Sequence, residues 1–317
     1  MGSAILLLCA GTAVLILGAE LMVRGAARLA LSLGLSSLFV GLTVVAFATS
    51  SPELVVAIQA SLAGAPDMAV GNVVGSNICN VAIILGCVAL IQPIPCHHTL
   101  IQREVPLVIL VTGLFWLLMK GGLSRVEAAA LASVLVLYTV WIYRAARRQP
   151  GSKLPVEAAV ASLTSGSRLQ HLALLVLGLG GLILGANLLV DGAIRIAHQL
   201  GWSDAVIGLT VVAVGTSVPE IATSIVAALR REPDIAVGNV LGSSLWNLLG
   251  VAGIAGMITP LPAEHRILVF DIPVALAFSA ACLPIMRFDG RISRAEGMLL
   301  LLGYVVYVLL RLSWFAS

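Results

Sequence analysis

Apolar residues run along this chain in blocks separated by brief polar punctuation, and about twenty mainly apolar residues is the length that carries a helix across a membrane. Ten segments reach that length, at about 3–23, 37–62, 68–91, 104–120, 125–143, 170–190, 205–229, 235–258, 267–286 and 295–314. The pattern predicts an all-α integral membrane protein with ten transmembrane helices. Connections are short except for 144–169, RAARRQPGSKLPVEAAVASLTSGSRL, which is basic and rich in Pro, Gly and Ser. It reads as a cytoplasmic linker between a first five-helix repeat, 1–143, and a second, 170–317.

Two stretches interrupt the apolar pattern in the same way. Gly41 to Asn80 reads GLTVVAFATSSPELVVAIQASLAGAPDMAVGNVVGSNICN, and Gly208 to Asn247 reads GLTVVAVGTSVPEIATSIVAALRREPDIAVGNVLGSSLWN. At a constant offset of 167 they agree at 23 of 40 positions, among them Thr49/Thr216, Ser50/Ser217, Pro52/Pro219, Glu53/Glu220 and Asn80/Asn247. The chain is internally duplicated, and the duplication preserves its polar residues.

Composition sets the solvent. Of 317 residues, 60% are hydrophobic and 10% charged, against about 25% charged in soluble domains. The lipid bilayer is therefore a partner. The first block has no basic residue before Arg24, so it lacks the positive leader of a cleaved signal peptide and reads as the first membrane helix. The five cysteines form no CxxC pair, which indicates neither disulfides nor a thiolate metal site. A net charge of +3 gives no reason to expect nucleic acid.

The distribution of charge says more than its sum. In the ten-helix layout, thirteen Lys and Arg fall on one side (Arg24, Arg28, Arg103, the linker cations, Arg230, Arg231, Arg287, Arg291, Arg294) and five on the other. The richer side is expected to be cytoplasmic, with both termini outside. Five helices per half then reverse the second copy relative to the first. Inverted repeats with broken helices at matching positions are the architecture of alternating-access carriers.

Glu53 and Glu220 lie midway along their blocks, and a carboxylate there is costly unless it faces the protein interior and finds a partner. Thr49 and Ser50, like Thr216 and Ser217, precede the glutamate by four and three residues, so on a helix they share its face. Pro52 has no amide hydrogen, which frees the carbonyl of Ala48 and pushes Ser51 toward an extended conformation; Pro219 does the same to Gly215. On the next helix Asn72, Ser76 and Asn80, and again Asn239, Ser243 and Asn247, form a polar stripe. Carboxylates, carbonyls, hydroxyls and amides together make an oxygen-only site for hard cations such as Ca2+ and Na+.

TSSPE followed by GNVVGSNICN, and TSVPE followed by GNVLGSSLWN, resemble the two alpha repeats of the sodium/calcium exchangers in the cation/calcium antiporter superfamily. The resemblance is to prokaryotic members without a large regulatory domain, and it implies an inner or plasma membrane location. It implies Ca2+ between Glu53 and Glu220 with the carbonyls of Thr49 and Thr216. It also implies Na+ sites drawing on Ala46, Ser50, Ser76, Ala213, Ser217 and Ser243. Some members carry an acid at the position of Asn80 or Asn247, whereas this chain has Asn at both, which argues against the potassium-dependent branch.

The expected function is Ca2+/Na+ antiport by alternating access, with the ions as substrates and no cofactor. A proton-coupled divalent-cation antiporter is the alternative, and a passive cation channel is a further one. No His or Cys accompanies the glutamates in a nucleophile or metal pattern, so an enzyme is not expected. Among the remaining residues, Gly71xxxGly75 and Gly238xxxGly242 suit close helix packing, Glu20 and Arg24 a local ion pair, and Asp67 and Asp234 helix caps.

Overall fold

The computed structural model describes residues 2–148, 167–200, 213–262 and 264–313. Linker residues 149–166, and 208–212 at the start of the second copy, lie outside the described residues. Helices dominate, and among the described residues seven are long and apolar enough to cross a membrane, or eight when the bent pair Ser37–Thr49 and Ser51–Leu62 counts as one span. Val218–Leu229 is a shorter apolar helix, and Arg294–Ser313 follows the last of the seven. The two helices that carry the polar stripes, Pro66–Ile91 and Pro233–Ile258, are 72% and 78% buried along their apolar windows, against 22–39% for the other five. Helices with polar residues are thus the ones shielded from lipid, as the cost of exposing amides to hydrocarbon requires.

The chain forms two compact units, Met1–Pro52 with Leu137–Asn239, and Glu53–Val136 with Val240–Ser317. The spine of the first unit is a pair of 32-residue helices, Gly2–Leu33 and Arg168–Gln199. Both outrun the apolar blocks that predict them. Arg24 ends the first apolar run, but the helix-forming residues after it continue the helix as far as Gly34, whose φ of +65° closes it. The pair meets backbone to backbone: a Cβ on Gly18 would lie 2.9 Å from the carbonyl of Gly178, and one on Gly178 2.5 Å from the nitrogen of Met22. Gly11, Gly18 and Gly25 face the second helix at seven-residue intervals, as do Gly178, Gly185 and Gly192 the first, which keeps the seam on one side of each. Glu20 in this unit pairs with Arg24 as expected and also with Arg230, whose Nε lies 2.8 Å away.

In the second unit, short pairings join loops that the charge count places on a common side. Ile94 and Pro95 pair antiparallel with Ile292 and Arg291, and Leu123 pairs with Leu261. Gly71 and Gly75 do not mediate a close approach, since a Cβ on Gly75 would meet open space; Gly238, in the first unit, rests against the backbone of Gly41 as expected.

Wider π-helical turns recur at duplicated positions. Asn80–Ile84 is matched by Trp246–Val251, and Leu100–Glu104 by Ile267–Asp271. Such turns carry one extra residue and cluster at functional sites. Here the first pair begins at or beside Asn80 and Asn247.

Candidate cation site

The two proline breaks share one backbone geometry. Ser50 has φ −82°, ψ 6° and Ser217 φ −88°, ψ 1°, both in the sparsely populated bridge region. The break therefore sits one residue earlier than the sequence predicts: Ser51 is helical, not extended, and opens the Ser51–Leu62 helix. Pro52 and Pro219 occupy the first turn of the new helices, where an amide hydrogen would have no intrahelical partner, so the ring is tolerated and the kink moves upstream. Glu53 and Glu220 each fall in that first turn, where unpaired backbone N–H groups and the helix dipole favour negative charge. Both are buried, at 0% and 1% exposure.

Within the first unit, Ser50 donates from Oγ to Glu220 Oε1 at 3.2 Å. Thr49 Oγ1 donates to Asn239 Oδ1 at 3.0 Å and to the carbonyl of Ala46 at 3.4 Å. Asn239 in turn donates from Nδ2 to the backbone carbonyl of Glu220 at 3.4 Å and to Ser224 Oγ at 3.0 Å. Thr216 and Ser217 are buried in the same unit, and Ala213 opens the short Ala213–Gly215 helix. Ala46 is fully buried and begins the last turn before the first break.

Within the second unit, Ser76 Oγ donates to Glu53 Oε1 at 3.4 Å, and Asn72 Nδ2 to the backbone carbonyl of Glu53 at 3.2 Å. Asn72 and Asn239 thus do the same thing at matched positions. Each uses its NH2 group to hold the carbonyl of the glutamate on the preceding broken helix, so it orients that helix rather than contributing only a neutral oxygen. Ser243 is fully buried. Asn247 donates from Nδ2 to Asn77 Oδ1 at 3.2 Å, and Asn77 donates to the carbonyl of Ser244 at 3.2 Å. Asn247 Oδ1 and both amide atoms of Asn80 are buried and have no hydrogen-bond partner among the described residues. A buried amide left in that state is costly, and its oxygen is an acceptor held in reserve.

Asn77, which joins the two polar helices, lies off the four-residue stripe and escapes a reading based on that spacing. So do two further buried acids related by the offset of 167, Glu104 and Asp271. Glu104 accepts from Arg103 Nε at 2.6 Å. Asp271 pairs with Arg311 at 3.0 Å and accepts from the Tyr307 hydroxyl at 3.1 Å. Both stand at the end of a π-helical turn near a helix start, where sequence alone reads a charge as interfacial. Asp67 and Asp234 lie in the first turns of their helices, after Pro66 and Pro233, so they meet the helix dipole there rather than capping from outside.

Among the described residues no three His, Cys, Asp or Glu side chains group so as to hold a metal. A cation held here would draw on single carboxylates supplemented by hydroxyl, amide and carbonyl oxygens.

Fold and site define the class: an all-α, multi-pass membrane protein with an internally duplicated acidic centre. The chain belongs to the sodium/calcium exchanger family. A family model described as "Sodium/calcium exchanger protein" matches residues 3–144 and 170–313. The putative antiporter CaxA of Alkalimonas amylolytica is 38% identical over 94% of this chain and 95% of its own. The sodium/calcium exchanger MaX1 of Methanosarcina acetivorans is 31% identical, covering 96% and 97%. A solved structure of the sodium-calcium exchanger NCX_Mj superposes with a TM-score of 0.84 at 31% identity, covering 96% of this chain and 97% of that one.

Proposed function

We propose that this protein exchanges Ca2+ for Na+ across the membrane by alternating access, with ten transmembrane helices in two inverted repeats of five. The observation that carries the reading is the matched pair of buried glutamates, Glu53 and Glu220. Each stands in the first turn after a break of the same backbone geometry, with its carboxylate accepting from a serine and its carbonyl held by an asparagine. Packing alone gives no reason to duplicate such an arrangement.

In this reading the two glutamates serve one Ca2+, with Thr49 and Thr216 offering backbone carbonyls. Ser50, which bonds Glu220, precedes Glu53 by only three residues. Ala46, Ala213, Ser50, Ser217, Ser76 and Ser243 contribute to Na+ sites, and the unpartnered oxygens of Asn80 and Asn247 complete the oxygen set. Two carboxylates sharing a site in low dielectric repel strongly. Ca2+ neutralises the pair, as does Na+, and an empty dianionic site resists closure. The carrier therefore changes face only when loaded, and ions that share ligands replace one another. The names of MaX1 and NCX_Mj support Na+ and Ca2+ as the ions. The pairing of Ile94 with Ile292 and of Leu123 with Leu261 supports the grouping of loops by side, and the excess of Lys and Arg on one side supports an orientation with both termini outside the cytoplasm.

Purified protein in vesicles loaded with Na+ should take up Ca2+ when the outward Na+ gradient is imposed at clamped pH. Uptake that follows a pH gradient and ignores Na+ would identify the proton-coupled alternative. Flux without stimulation by ion on the opposite side would identify a channel.

A further inference from the structure

The last two helices form a hairpin, Ile267–Asp289 and Arg294–Ser313, turning at Gly290 in the left-handed conformation (φ 63°). Between its arms lies a groove of about 290 Å3 whose lining, from Val274, Phe278, Ala281 and Ile285 on one arm to Leu299 and Leu300 on the other, is entirely apolar. The groove extends along the first arm from Val274 to Ile285, about three helical turns, and its Ile285 end lies next to the turn in sequence.

That turn is cationic. Arg287, Arg291 and Arg294 fall within eight residues of one another and are all exposed, and Phe288 between them is 90% exposed. Their positive charge is little used. Arg287 has no ion pair or hydrogen bond among the described residues. Arg291 reaches Asp289 only at 3.5 Å, with both side chains more than half exposed, and Arg294 makes a single hydrogen bond of 3.4 Å to the carbonyl of Ile91. Glu296, the nearest other acid, is occupied in capping Ser293. The turn at Lys120–Arg125 in the first half differs. Its Lys120 lies over the Trp116 ring at 5.2 Å, and its Arg125 donates to the carbonyl of Ile258 at 3.2 Å.

We propose that this hairpin is a binding site for one anionic phospholipid, with an acyl chain in the groove and the phosphate among Arg287, Arg291 and Arg294. An apolar groove between two apolar helices accepts a lipid chain, and three guanidinium groups against the single carboxylate of Asp289 select a negatively charged headgroup. A free phosphate would satisfy the arginines but leave the groove without an occupant.

The test is lipid retention by the purified full-length protein, read by native mass spectrometry after titration with phosphatidylglycerol or phosphatidylcholine. The wild type should retain one phosphatidylglycerol with roughly tenfold preference. The triple variant R287Q/R291Q/R294Q should bind both lipids alike, because its substitutions are exposed and leave the helices intact. Ala281→Phe, which fills the groove, should weaken both lipids. Millimolar inorganic phosphate should not displace the bound lipid. A triple variant that keeps the preference, a groove-filling variant without effect, or full displacement by phosphate would overturn the proposal. None of these outcomes depends on which ions the protein transports.

Discussion

Asn239 ties three residues of the described site together. It accepts from Thr49 and donates both to Ser224 and to the carbonyl of Glu220. Its counterpart Asn72 donates to the carbonyl of Glu53 at 3.2 Å. Interhelical hydrogen bonds in membrane proteins average about 0.6 kcal/mol each, with a maximum near 1.7. Asn239→Ala should therefore cost about 2 kcal/mol in thermal or denaturant stability and raise the half-saturating Ca2+ concentration, while Asn72→Ala costs less on both measures. Equal effects in the two variants would contradict this account of their bonding. The residue types of the site were legible because duplication singles them out: no packing pattern asks for Thr, Ser, Pro and Glu twice at one offset. Asp271 and Asn77 were not legible because their partners, Tyr307 and Arg311 for the one and Ser244 and Asn247 for the other, come from distant positions in the chain, and Glu104 was not because its position beside Arg103 at the edge of an apolar block reads as interfacial.

Among the elements, the two 32-residue helices and the Pro66–Ile91 helix make opposite demands on their glycines. A side chain on Gly18 or Gly178 has to displace backbone, whereas one on Gly75 enters open space. Gly178→Val should lower stability in detergent by about 1–3 kcal/mol through overpacking, and Gly75→Ala should be close to neutral; a Gly178→Val protein that melts with the wild type would refute the backbone contact. Sequence periodicity located the spans found among the described residues but misjudged their ends, since a charge such as Arg24 stops an apolar run without stopping a helix. It also favoured GxxxG spacing at Gly71, while the glycine contact between the two long helices follows a seven-residue spacing. The Ile94–Ile292 pairing shields another group. Cys96 beside it is buried, and that burial pushes its thiol up to about 12. A raised value keeps the thiol protonated at neutral pH, so Cys96 should resist maleimide at pH 8 in the folded protein and react after denaturation. Rapid labelling of the native protein at pH 8 would show that the loop opens.

For the molecule as a whole, topology and transport are the open claims. With the native cysteines replaced by serine, Gly121→Cys and Phe288→Cys should label from opposite sides of a sealed vesicle with an impermeant maleimide; labelling from the same side would contradict the inverted arrangement. The apolar blocks and the duplicated motifs made an all-α, multi-pass membrane protein of the sodium/calcium exchanger family legible in the sequence, because they follow from constraints the bilayer imposes on every residue. The central claim is that Glu53 and Glu220 act together on the transported ions. It is tested most directly by Ca2+ uptake into proteoliposomes driven by an outward Na+ gradient at clamped pH, comparing wild type with Glu53→Gln and Glu220→Gln, each confirmed as folded by size-exclusion profile. The account predicts robust uptake by the wild type and none above background in either variant. Substantial Na+-driven uptake in one of the variants would contradict it.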